Sequence, residues 1–424
     1  MRRGPFGCRS PLYRIFLLLW SVYVASLPLA SGLAVPARAQ TVDTPDIFGG
    51  REAEAGAWPW QAALVIATEP NAHYGQYCGG TLVGAEWVLT AAHCVDVFSP
   101  SEVEVVLGRR QLSSSEGERL AIAQIFVHPN FNYNPLSFGF DVDADLALIR
   151  LATPSVQQPA ALYRGEVGVE ETRYAGATVT GWGYTERADF PDILHEVDVP
   201  LVDHAACVEN YGQIVTENMI CAGYPKGQKD ACYGDSGGPL VVHSQEEGWR
   251  QIGIVSWGSG CGYAGEPSVY TRVGNYTGWI DACLADSTSQ ACLGSDDYEP
   301  DNQPAQATLL PSGSFSQTHN LHFRGDQDWL KFEAQAGTLY NIEARPIGSL
   351  SDPLLWLYDS DGLTPITFDD DGGGFRAARL EWRAPINGTF YIEVQDLTNA
   401  TGQRSAYNVE IRNSLSSYLP SISN

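Results

Sequence analysis

Eight of the nine cysteines lie between Cys78 and Cys292, and the ninth, Cys8, sits in a leader-like N-terminus. That placement constrains the fold most. Arg2, Arg3, Arg9 and Arg14 precede an apolar run from Ile15 to about Ala30, and Ala37-Arg38-Ala39 is a small-x-small cleavage pattern. The run is short for a bilayer span and contains Pro28, so residues 1–39 are expected to be a removed signal peptide and 40–46 a short propeptide. An exported chain with an even thiol count is expected to be disulfide-bonded, although spacing alone leaves about 105 connectivities open. No cysteine or histidine cluster has zinc spacing, and no metal or other cofactor is expected.

From residue 47 to about 272 the chain is short β-type runs broken by Gly, Pro and Asn, including 61–67, 86–90, 103–108, 145–151, 177–183 and 252–257. A helix is expected near 275–285, with Trp279, Ile280 and Leu284 facing inward. Residues 293–307 turn polar and acidic, with Pro300 and Pro304, and read as a linker. Strand-like runs resume at 328–334, 338–344, 354–358, 379–383, 389–394 and 406–411, enough for a small β-sandwich over 308–413, with a loose tail to 424. The expected class is all-β. The formal charge of −25 excludes nucleic acid and anionic membrane as natural partners and suits cationic substrates. Asp369-Asp370-Asp371-Gly372 offers calcium-type oxygens, but an acidic turn is the preferred reading.

Three local patterns carry chemistry. Glycines around Ser236 in Gly234-Asp235-Ser236-Gly237-Gly238 let the backbone turn sharply and aim the Gly234 and Ser236 N–H groups at one point, as an oxyanion hole requires. His93, beside Cys94 at the end of the apolar run 87–89, is placed as a base. Asp145, opening the run 146–149, is placed to orient an imidazole, with Asp141 and Asp143 as competitors.

With these flanks the order His93, Asp145, Ser236 resembles the chymotrypsin/trypsin family of serine proteases over residues 47–285. Gly181–Gly183, Cys221–Tyr224 and Ser256–Cys261 match family motifs in family order. The resemblance implies two six-stranded antiparallel β-barrels with a C-terminal helix, a protease domain over 47–292 and protein or peptide substrates. It also implies the pairs Cys78–Cys94, Cys207–Cys221 and Cys232–Cys261, which leaves Cys283 and Cys292 for each other. Asp230, six residues before Ser236, corresponds to the floor of an Arg/Lys pocket, walled by Ala231, Ser256, Trp257, Gly258 and Ser268. Ser268 departs from the usual glycine. Ile47-Phe48-Gly49-Gly50 resembles the mature N-terminus of a zymogen, whose Ile47 ammonium pairs with Asp235. Here Asp46 precedes Ile47, so another protease is expected to activate the chain. Arg109 and Arg119 stand where a trypsin calcium loop has glutamates, so no calcium is expected there.

Residues 296–412 resemble the bacterial pre-peptidase C-terminal domain through 297–302, 326–330, 358–362 and 387–392. Together these readings give a secreted endopeptidase, extracellular or periplasmic. The alternative is a catalytically impaired homologue that binds proteins or acts in adhesion.

Overall fold

Strand Trp87–Thr90 is buried at every position, and its partner Ala147–Leu151 at all but Arg150. Apolar runs sealed on both faces belong inside a closed sheet rather than on an open one. The computed structural model, which describes residues 49–133, 142–165, 176–186, 189–311, 315–323, 325–398 and 400–414, closes a barrel in the order Gln61–Ile66, Gln76–Gly84, Trp87–Thr90, Ala147–Leu151, Glu118–Val127, Val103–Leu107. Leu64, Val88, Leu89, Val105 and Ile149 are fully buried in it, each contributing about 1.5–3 kcal/mol by leaving water. The leader, the segment 40–46, Ile47, Asp141 and the tail from 415 lie outside the described residues.

The following strands make one eight-stranded antiparallel sheet. Its order is Arg51–Glu52, His195–Val199, Ala177–Gly181, Pro239–Ser244, Gly248–Trp257, Ser268–Arg272, Met219–Ala222, Leu201–Val202. Helix Thr277–Ala285 then packs Trp279, Ile280 and Cys283 inward. Leu284, expected on that face, is only partly buried, because the Cys283–Cys292 disulfide turns the neighbouring position into the core. The pairs Cys78–Cys94, Cys207–Cys221 and Cys232–Cys261 are also formed.

The C-terminal strands form a five-stranded and a four-stranded sheet. Leu330, Phe332, Leu357 and Ile392 from the first share a core with Ile342, Leu380, Val409 and Ile411 from the second. The alternating burial of Pro353–Tyr358 shows the period of two that such a face requires. This unit docks on the barrel through Arg404, which is 6% exposed, pairs with Asp96 at 3.1 Å and lies over the Phe131 ring. The Gln403 N–H donates to the Pro129 carbonyl.

Arg119 does more than remove a negative charge from its loop. Its guanidinium donates to the Glu104 carboxylate at 2.5 Å and to the carbonyls of Glu69 and Pro70 at 2.8 and 3.0 Å. A fixed cation therefore already binds the oxygens of that loop.

Candidate active site

Strand Trp87–Thr90 runs into the short 3-10 turn Ala92–Cys94, and the disulfide from Cys94 to Cys78 ties that turn to strand Gln76–Gly84. Thr90 pairs with Ala147, so the register brings Asp145, two residues earlier, up to His93. Asp145 Oδ2 lies 2.7 Å from His93 Nδ1, and Oδ1 accepts the His93 backbone N–H at 3.0 Å. Nδ1–H donating to the carboxylate leaves Nε2 as a lone-pair acceptor, the tautomer a general base needs. Two further strands hold the carboxylate: Ser256 Oγ donates to Oδ2 at 2.5 Å, and Thr271 Oγ1 donates to the Asp145 carbonyl at 2.8 Å.

Burial of His93 opposes its protonation, but the charge and hydrogen bond of Asp145 outweigh it and raise the imidazole above its ordinary value. For Asp145, burial pushes upward, and His93 with the Ser256 hydroxyl wins in the other direction. Ser256→Ala is therefore expected to lower kcat by about tenfold, since a hydrogen bond to a charged group contributes about 1.5–3 kcal/mol. The less dispersed carboxylate charge should also hold the imidazolium more tightly and move the acid limb of kcat/KM to higher pH. A pH–rate profile with an unchanged limb and unchanged kcat would count against this arrangement.

The segment carrying Ser236 is shaped by close approach. A Cβ on Gly237, at φ +80°, would lie 2.2 Å from Thr90 Oγ1 and 2.6 Å from the Gly79 carbonyl. The Ser236 carbonyl accepts the Gly79 N–H at 2.7 Å. The Cys94 sulfur is 3.7 Å from His93 Nε2 and 3.6 Å from the Ser236 carbonyl oxygen, so base and nucleophile backbone flank one disulfide. The N–H groups of Asp235, Gly237 and Gly238 are taken by carbonyls of Cys232, Val255 and Asp235. Those of Gly234 and Ser236 are left as donors among the described residues. Gln76 Nε2 fixes the Gly234 peptide by donating to its carbonyl at 2.8 Å.

Asp235 is fully buried and accepts the N–H groups of Gly183 at 2.7 Å and Cys232 at 2.9 Å. A Cβ on Gly183 would fall 2.3 Å from this carboxylate, which explains the glycine of that motif. Burial pushes Asp235 up to about 7. Ile47, its expected partner, is outside the described residues.

A cleft of about 470 Å³ is lined by Ser236, Ala231, Ser256, Trp257, Gly258 and Ser268, among others. All five expected wall residues thus meet the expected nucleophile. Asp230, 1% exposed, lies behind this lining and accepts N–H groups of Ala231 at 2.9 Å and Gly262 at 3.0 Å. Burial pushes Asp230 up to about 6, against hydrogen bonds led by the Ser268 hydroxyl. Ser268, expected to crowd the pocket, is thus also a partner of Asp230. Sequence reasoning missed Gln76 and Thr271, because a glutamine or threonine within a strand carries no motif of its own. Asp143, the described competitor of Asp145, accepts from Thr216 and Asn218 instead.

Residues 47–280 match the family described as Trypsin. Clotting factor C of Tachypleus tridentatus is 36% identical over 275 residues, 59% of this chain and 26% of that protein. Mannan-binding lectin serine protease 1 of Homo sapiens is 32% identical over 312 residues, 65% and 42% respectively. Anionic trypsin of Canis lupus familiaris is 35% identical over 264 residues, 61% and 95%. The chain therefore spans about a quarter of clotting factor C and under half of the lectin-associated protease.

Proposed function

The chain belongs to the trypsin family, and from that premise we propose that it is a secreted serine endopeptidase, made as a zymogen, that cleaves after Arg or Lys. His93 Nε2 takes the Ser236 hydroxyl proton as Oγ attacks the scissile carbonyl. Gly234 and Ser236 N–H groups receive the developing oxyanion, each such donor lowering the barrier by about 3 kcal/mol. His93 then protonates the leaving amine, and water releases the acyl group from Ser236 by the same steps in reverse roles. Asp145 stabilises the imidazolium throughout. Asp230 draws a substrate guanidinium or ammonium into the cleft, because a neutral side chain leaves that buried carboxylate unpaired.

One observation carries the reading: the Asp145 carboxylate grips His93 twice beside a cleft that contains Ser236 and backs onto Asp230. Four disulfides support an oxidising destination. In the same reading, 47–292 is the protease domain, with the eight-stranded sheet as its second barrel. Residues 308–413 are a β-sandwich of the bacterial pre-peptidase C-terminal kind. The substrates are proteins or peptides. The test is kcat/KM on matched Arg, Lys, Phe and Leu peptides after cleavage of the Asp46–Ile47 bond; preference for Phe or Leu overturns the specificity.

Activation has its own signature. With Ile47 still in peptide linkage, the Asp235 value near 7 lies above the ordinary 3.8. The folded chain then holds a proton that the unfolded chain releases between about pH 4 and 7, so precursor stability falls as pH rises through that window. A new Ile47 ammonium favours the ionised carboxylate and reverses the sign. The expected result is a precursor whose melting midpoint drops from pH 5 to pH 8 more steeply than that of the cleaved form. Full activity with the N-terminus still at Gln40 would contradict this maturation.

A further inference from the structure

The junction between the barrel region and the C-terminal sheets gathers acidic groups that the proteolytic reading does not use. Glu299, Asp301 and Asp328 each offer an oxygen within 4.8 Å of the others, and Asp296, His319 and Asp328 form a second such set around the same aspartate. These groups are not a solvated acidic surface. Asp301, Asp328 and His319 are each 1% exposed. Both carboxylate oxygens of Asp301, Oδ1 of Asp328 and Nδ1 of His319 are buried without a hydrogen-bond partner.

The His319 ring is held so that it cannot relieve this. It stacks between Tyr298 and Tyr407, with centroids 4.3 and 5.7 Å away. Its Nε2 lies 3.3 Å from Gln317 Oε1, so Nε2–H donates there and Nδ1 presents a lone pair. That nitrogen faces Asp296 at 3.7 Å and Asp301 and Asp328 at 4.0 Å each. Lone pair and carboxylate oxygens repel unless positive charge lies between them. Tyr407 donates to Asp328 Oδ2 at 2.6 Å, which leaves Oδ1 pointing into the same space. The nearby imidazole of His322 pairs with Glu299 and Asp326, at 2.7 and 2.6 Å. One imidazole thus stands against five carboxylates.

We propose that this junction is a divalent-cation site of the hard, calcium-like class, with Glu299, Asp301, Asp328 and His319 Nδ1 as its ligands. Oxygens bound to one calcium at about 2.4 Å are separated by no more than about 4.8 Å, which the carboxylate set satisfies. Three carboxylates and one nitrogen favour a hard cation over the softer ones that thiolate-rich sites select. The acidic turn at 369–372 differs: the Asp369 carboxylate already accepts from the Gly372 and Arg379 N–H groups. The ligands come from distant parts of the chain. Asp301 lies between Cys292 and the first C-terminal strand, His319 ends strand Phe315–His319, and Asp328 begins strand Asp328–Ala334. The Trp329 N–H also binds the Asp301 carbonyl at 2.8 Å. A cation here fastens the connecting segment to both C-terminal sheets.

The experiment uses full-length Ser236→Ala protein, so that self-digestion does not interfere, stripped with chelator and titrated with Ca²⁺, Mn²⁺ or Zn²⁺ by calorimetry and thermal melting. Saturable Ca²⁺ binding with a raised melting midpoint is expected. Asp328→Asn should weaken binding by at least about tenfold, since even outer partners of a metal site typically cost 10–100-fold. Asp301→Asn should abolish the Ca²⁺-dependent rise while melting no lower than its parent in chelator, because an unpaired buried charge is removed. A structural role alone gives neither pattern. If Asp328→Asn does not fold, the parent titration and Asp301→Asn decide. Absence of binding at millimolar Ca²⁺, or binding unchanged in Asp301→Asn, overturns the site. Mn²⁺ or Zn²⁺ binding tenfold tighter than Ca²⁺ overturns its assigned class.

Discussion

Ser236→Ala is expected to lower kcat on an Arg peptide by about 10⁶-fold, the loss typical of removing the nucleophile from a serine-protease triad. The remaining rate, about 10³–10⁴ above the reaction in water, comes from the oxyanion donors and substrate binding. The fold should survive, because the turn is held by backbone groups rather than by the hydroxyl. The Ser236 carbonyl accepts from Gly79, and Gly237 donates to Val255. Activated parent and variant should therefore melt together while their turnover separates. Near-parental turnover in the variant would remove Ser236 from the mechanism.

Asp230→Ser should cost about 10²–10⁴-fold in kcat/KM on Arg peptides, because stranding one partner of a buried ion pair costs about 3–5 kcal/mol. Lys peptides should fall by a similar factor, while Phe and Leu peptides are spared, since they never paired with the carboxylate. In the parent, Arg is expected to be at least equal to Lys, because its planar fork matches a carboxylate and Ala231 provides no hydroxyl for an ammonium. The Ser268 hydroxyl, already a partner of Asp230, narrows that preference. A drop on Arg peptides matched by an equal drop on Phe would point to general damage instead of a lost ion pair.

What could be read from the sequence was what depends on near neighbours. Glycines at 234 and 237 are legible because the turn around Ser236 admits nothing larger at those positions. Strand Asp328–Ala334 was legible to the residue, because its apolar positions and the flanking breaks agree. Strand Glu118–Val127 was not, since charged and exposed residues interrupt any alternation. Helix His204–Tyr211, capped by Asp203, is too short and too weakly apolar on one side to announce itself. The site's supports depend on long-range register. Ser256 reads as pocket wall from its motif, yet it also donates to Asp145, 111 positions away. The junction cluster was invisible for the same reason: Phe315–His319 lies beside Tyr407–Ser414, and only that pairing brings Tyr407 to His319 and Asp328.

The most direct measurement is capture of the acyl-enzyme. Protein whose N-terminus has been verified as Ile47 is mixed rapidly with an Arg ester, and the adduct is mapped by mass spectrometry after acid quench. The account predicts a product burst of about one per active enzyme and an acyl group on Ser236, both absent from Ser236→Ala. Turnover without a burst and without an adduct, or an acyl group mapped to any other residue, would contradict it.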